Sequence, residues 1–162
     1  MKKLFVMAMM CIASGAAFAG DSPELKAILK AKTYDEAASL VKAANLPNAE
    51  EKAKAYNKLV DLAMAKVTKE TGTIAENQLA EQMKTGKVEQ YDTLGLADAI
   101  CNAINDAIEC NKYDQEPNAK GKVAPKFAEK NAQRIWSVCT HLVNIGHDVS
   151  RSGNDAAVLK YW

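Results

Sequence analysis

Apolar residues recur at three- and four-residue intervals from Leu25 onward, and alternation of β-branched with polar residues is absent. The first spacing lines one face of a helix; the second would line one face of a strand. Glycines and prolines gather in a few short breaks. The chain is therefore expected to be all-α. The spacing predicts a short helix over 23–31, with Pro23 suited to the first helical position. Thr33 with Glu36 three residues on has the form of a capping box, opening a second helix over 34–44 that ends at "NLPN". A long helix over 49–70 carries Ala53, Tyr56, Val60, Ala63 and Val67 on one stripe, and Gly72 is expected to stop it. A weaker amphipathic piece over 74–85 ends at Gly86. The helix over 92–111 sets Leu96, Ala99, Ile100, Ala103, Ile104, Ala107 and Ile108 on one arc. A loop holding Pro117, Gly121 and Pro125 precedes a last long helix, expected to pack Phe127, Ile135, Val138 and Leu142. Beyond it Gly153 and the Asn154-Asp155 pair can open a new helix that runs to Tyr161 and Trp162.

The first twenty residues, "MKKLFVMAMMCIASGAAFAG", read differently. Lys2 and Lys3 give a basic start, an apolar stretch spans 4–13, and small residues close on Ala17-Phe18-Ala19. That is the three-part pattern of a secretory signal peptide over 1–19, with cleavage expected between Ala19 and Gly20. The apolar stretch is too short to span ~30 Å of hydrocarbon, and Met10 stands before Cys11 where a lipoprotein signal has a small residue. A periplasmic or secreted product is expected, with no integral membrane segment after cleavage. The 162 residues carry 21 Lys+Arg and 20 Asp+Glu. Loss of the leader with Lys2 and Lys3 leaves 19 basic against 20 acidic side chains on a single domain over 20–162. Such a balance has no electrostatic footprint for nucleic acid or an anionic membrane.

Export makes the three cysteines outside the leader, Cys101, Cys110 and Cys139, candidates for one disulfide with one thiol left over. Cys101 and Cys110 lie nine residues apart on one helix, a rise of roughly 13 Å, beyond the ~7 Å between alpha carbons that a disulfide tolerates. If the helices flanking the 112–125 loop lie antiparallel, Cys101 and Cys139 stand about a turn apart in depth and form the better pair. Three reduced cysteines acting as small apolar residues is the other reading.

Two segments echo each other: "AKTYDEAASLVKAANLPN" and "NIGHDVSRSGNDAAVLKYW". They resemble the tetratricopeptide repeat, a pair of antiparallel helices stacked in an array. Tyr34 matches the turn aromatic, Ala37 and Ala44 the packing alanines, and Pro47 the closing proline. In the second segment Gly146 matches the small residue, Gly153 the turn glycine, and Tyr161 with Trp162 the second-helix aromatics; Val158 stands where alanine is usual. "KAKAYNKLVDLAMAKV", "DQEPNAKGKV" and "VLKYW" are also similar to exported repeat proteins of Bacteroidetes-type bacteria. The resemblance implies antiparallel helix pairs stacked as a right-handed solenoid with irregular middle helices. It implies too that 20–162 is the N-terminal part of a longer array, so that Leu159, Tyr161 and Trp162 would await a further helix. A terminal helix whose aromatics dock back on the bundle is the alternative.

Motifs that carry chemistry are missing. His141 and His147 are six apart and do not share a helix face, so no zinc pair forms. No Cys-x-x-Cys, Gly-x-Ser-x-Gly or phosphate-cradling glycine loop occurs. Asp35-Glu36 and Glu50-Glu51 are first-turn acids favoured by the helix dipole. No catalytic residue, metal or cofactor is expected; Cys139 acting as a nucleophile with His141 or His147 is the remote exception. The reading is thus a non-enzymatic, exported scaffold that docks a protein or peptide in a helical groove, with Tyr56, Asn57, Trp136 and Trp162 as candidate partner contacts. A compact bundle that binds a small apolar ligand is the rival.

Overall fold

The computed structural model describes residues 20–86, 88–118 and 121–161; the expected leader and Trp162 lie outside them. Every regular element among the described residues is a helix: α1 (Pro23–Lys30), α2 (Tyr34–Ala43), α3 (Ala49–Gln82), α4 (Thr93–Asp114), α5 (Ala128–Arg151) and α6 (Asp155–Tyr161). The caps explain most of the starts. Ser22, Thr33, Asn48 and Asp92 each accept the N–H three residues on, satisfying a donor that the first turn leaves orphaned. Thr33 takes the Glu36 N–H, but the Glu36 carboxylate reaches back to Lys32 N at 3.0 Å, one residue before the cap. Pro23 opens α1 as expected.

The third helix departs from expectation. Gly72 does not stop it; α3 runs unbroken for 34 residues, about 51 Å. Glycine costs a helix interior only about 1 kcal/mol. Val67 is buried in the main core, and Met64 and Ile74 pack against that core on either side of Gly72, so tertiary burial outweighs the propensity. The helix ends instead where Lys84 enters the left-handed region at φ 53° and Thr85 N donates to Ala80 O at 3.0 Å. Gly86, the expected terminator, follows at φ 69°. The connection to α4 is held by Asn77, whose amide donates to Glu89 O at 2.7 Å and accepts from Glu89 N at 2.8 Å.

The long helices α3 and α4 lie antiparallel, Lys66 beside Asp92 at one end and Ala53 beside Cys110 at the other. The helix α5 packs on α4, again antiparallel; its N-terminus is joined to the end of α4 through Asp114. The main core joins Val67 of α3, Leu96, Ala97, Ala99 and Ile100 of α4, Val138, Ile145 and Val149 of α5, and Ala157 of α6. Two smaller clusters seat the first helices on α3: Leu25, Ile28, Leu46 and Ala55, and Ala31, Ala37 and Leu59. Helix lengths of 8, 10, 34, 22, 24 and 7 residues share no common repeat unit.

Candidate interaction surfaces

A groove of about 830 Å³ opens between the start of α2, the middle of α3 and the first half of α4. Its walls carry Lys32, Thr33, Tyr34 and Asp35 on one side, Lys66, Lys69 and Glu70 on α3, and Asp92, Asp98 and Asn102 on α4. Several of these groups are already engaged. Lys66 Nζ meets Asp92 Oδ2 at 2.9 Å, and that ammonium, with the Gly95 N–H, holds the Asp92 carboxyl below its ordinary value. Glu70 accepts from Asp92 N at 3.0 Å. A side chain at Gly95 would strike this pair, its Cβ falling 1.9 Å from Asp92 Oδ2 and 2.3 Å from Lys66 Nζ. Asp98 takes Lys160 Nζ and Tyr161 Oη, each at 2.8 Å. Thus α6 folds back onto α4 through Tyr161, one of the three residues expected to await a further helix. Leu159 points outward at 84% exposure.

Tyr34 lies on the edge of the groove, and its hydroxyl donates to Asp106 Oδ2 at 2.8 Å. Burial pushes the Asp106 carboxyl up to about 6 against the pull of that hydrogen bond, and burial with the Asp106 charge raises the Tyr34 phenol. Ala37, buried, and Ala44, half-buried, pack in the clusters beneath α1 and α2; Pro47 is exposed just before the Asn48 cap. At the other end Gly153 takes φ 73° in the turn from α5 to α6, and Asn154 Oδ1 accepts the Ala157 N–H at 3.1 Å. Gly146 lies inside α5, facing Val158 across a small open groove, and Val158 also packs on the main core.

The four candidate partner contacts separate. Tyr56 stacks on Tyr113 with ring centroids 5.7 Å apart, and Lys52 Nζ lies 5.2 Å from the Tyr113 centroid. Asn57 donates to Asp61 Oδ2 at 3.3 Å. Both are half-buried. Trp136 stands out from α5 at 83% exposure, and Trp162 lies outside the described residues.

The candidate Cys101–Cys139 disulfide is not made: Cys101, Cys110 and Cys139 are all free, as in the alternative reading of three reduced cysteines. Depth along antiparallel helices brings two residues level but does not aim them at each other. Val138 faces the core, so Cys139, about 100° further round the helix, is exposed. Cys101 follows Ile100 and turns off the core in the same way, half-buried. Cys110 is fully buried, donates to Ala53 O at 3.3 Å, and is pushed up to about 12 by burial and the Asp114 charge.

Several polar residues without a sequence motif hold the helices together. The Asp114 carboxylate, at the end of α4, accepts the N–H groups of Lys126, Phe127 and Ala128 at 2.8–3.2 Å. It caps α5 from another helix, since the residue at the cap, Phe127, has no acceptor. A helix start without its own cap is the one signal in the sequence for such an acceptor. Glu51, a first-turn acid by sequence, also takes Ser22 N at 3.0 Å and the Ser22 hydroxyl on its carboxylate. Arg134 of α5 joins Asp61 of α3 and Asn131. Neither the Ser22–Glu51 nor the Asp61–Arg134 pair has a sequence signal, because the partners stand 29 and 73 positions apart.

Among the described residues no group of three or more His, Cys, Asp or Glu could hold a metal ion, and no helix is long and apolar enough to cross a membrane. Comparison of the chain with protein-family models, curated proteins and solved structures finds no match.

Proposed function

We propose that this chain is an exported, non-enzymatic interaction scaffold, built as tetratricopeptide-like helix pairs, whose groove docks an extended or helical peptide of a protein partner. The observation that carries the reading is the groove across α2, α3 and α4. Its volume of about 830 Å³ is open along the helices, and its walls are hydroxyl, amide and charged groups with apolar patches from Leu62, Ala63 and Ala99. Such a surface offers a peptide both hydrogen-bonding partners and some apolar burial. The rival small-ligand reading has less support. The more enclosed pocket, between α3 and the α4–α5 loop and lined by Tyr113, Asp114 and Phe127, holds about 40 Å³, whereas ligand sites usually run from roughly 300 Å³ upward, and the larger hollows are open grooves that would not enclose a small apolar molecule. Export to the periplasm or beyond rests on the three-part leader over 1–19.

A photo-crosslinking residue at Asn102, inside the groove, and another at Lys26, on the outer side of α1, distinguish the outcomes in the producing cell. The expected result is a discrete adduct from Asn102 alone, on a mature chain beginning at Gly20. Equal labelling from both positions, or none from Asn102, overturns the groove; a mature N-terminus retaining the leader overturns export.

A further inference from the structure

We propose that the outward face of α5 is a self-association surface whose partner is a second copy of this chain, docked antiparallel across a twofold axis near Thr140. Gln133, Trp136, Thr140, Val143 and His147 fall at alternating intervals of three and four residues, and all are exposed. That spacing draws one stripe along a helix. From Ile135 to His147 the helix holds no Asp, Glu, Lys or Arg, although solvated faces ordinarily carry charge. Within the stripe Trp136 is 83% exposed and Val143 57%. A face depleted of charge and centred on an exposed tryptophan has the composition of an interface core.

A knob and a hole on the same face identify the occupant. Trp136 is the knob. The hole is the open groove of about 330 Å³ between α5 and α6, lined by Val143, Gly146, His147, Ser150 and Val158. The α5 residues of that groove lie seven to fourteen positions beyond Trp136, about 10–21 Å along the helix. When two copies meet antiparallel about a midpoint at Thr140–His141, each Trp136 reaches the groove of the other. The charges at the ends of the stripe agree with that register. Glu129 and Arg151 are both exposed and lie 11 residues either side of Thr140, so each acid meets the arginine of the second copy. A parallel pair would set Trp136 on Trp136 and like charge on like charge. A surface that complements itself under one twofold rotation is what an isologous dimer requires, and an unrelated partner would not require it. The face is separate from the groove on α2, α3 and α4 and does not depend on a peptide binding there.

Light scattering and sedimentation equilibrium on the exported mature chain, kept reduced, test the proposal. Twice the monomer mass at tens of micromolar is expected, and a monomer at that concentration overturns it. Trp136→Glu should weaken the dimer by about thirtyfold or more while helical content by circular dichroism is retained; Leu79→Lys, an exposed apolar residue on α3, should leave it unchanged. A dimer that survives Trp136→Glu, or is lost equally in Leu79→Lys, overturns the assignment. Geometry is read by a short bismaleimide, which should link Cys139 of one copy to Cys139 of the other beside the axis. A linked peptide that joins other cysteines instead excludes the antiparallel register.

Discussion

Asp106 is 8% exposed, and the Tyr34 hydroxyl is its hydrogen-bond donor. Burial holds its proton to a pH of about 6, whereas an unfolded chain releases it near the ordinary aspartate value of about 4. The folded state therefore binds more protons than the unfolded state between those values, and stability falls as pH rises through that window. Asn keeps an acceptor for Tyr34 without the charge. Asp106→Asn is expected to match the parent near pH 3.5 and to exceed it at pH 7 by on the order of 2 kcal/mol, read from urea denaturation at both pH values. Equal stability at pH 7 would mean that Asp106 is solvated in the folded chain. In sequence Tyr34 resembles the turn aromatic of a repeat; in the fold its bond partner lies 72 positions away. No local pattern encodes such a contact, because the pairing follows from where α2 settles on α3 and α4.

Helix starts are legible because the cap and the helix it serves are neighbours in sequence: Pro23, Thr33 and Asp92 stand at or beside the starts of α1, α2 and α4. Helix ends are less so. Gly72 has the residue type of a terminator, but it lies within α3, and a Cβ added there would meet nothing within 4 Å. Gly72→Ala should consequently stabilise the protein by about 0.5–1 kcal/mol, measured as a higher urea midpoint with an unchanged slope. A loss of stability would place a break in α3 at that residue. The start of α5 is hidden for the complementary reason. Its cap is Asp114, 14 residues before Ala128 and on the far side of a loop.

Three apolar clusters divide the molecule unevenly. The main one spans α3, α4, α5 and α6, while α1 and α2 rest on the first half of α3 through two smaller clusters and the Ser22–Glu51 and Lys54–Asp21 contacts. Local opening is easiest where little apolar surface is buried. Backbone amides of α1 and α2 are expected to exchange with solvent before those of α4, and Ile28→Ala should speed exchange in α1 and α2 while leaving α4 unchanged. A single rate for all the helices would mean that the molecule opens as one unit. The two proposed association surfaces fall on different parts of this scheme: the groove bridges α2 to α3 and α4, and the exposed stripe lies on α5 beyond the main core.

Readable from the sequence were the all-helical class, the apolar stripe of α3, most of that of α4, whose Ile108 is instead 58% exposed, and the caps at Thr33 and Asn154, since periodicity and capping act between residues within a turn or two of each other. Packing between helices settles that α3 passes through Gly72, that Asp114 caps α5, that Cys101 and Cys139 stay free, and that Trp136 is exposed while Tyr56 is stacked. Each of those outcomes depends on which face of a helix meets its neighbour. That choice is made by burial summed over several helices, and no short window of sequence contains it.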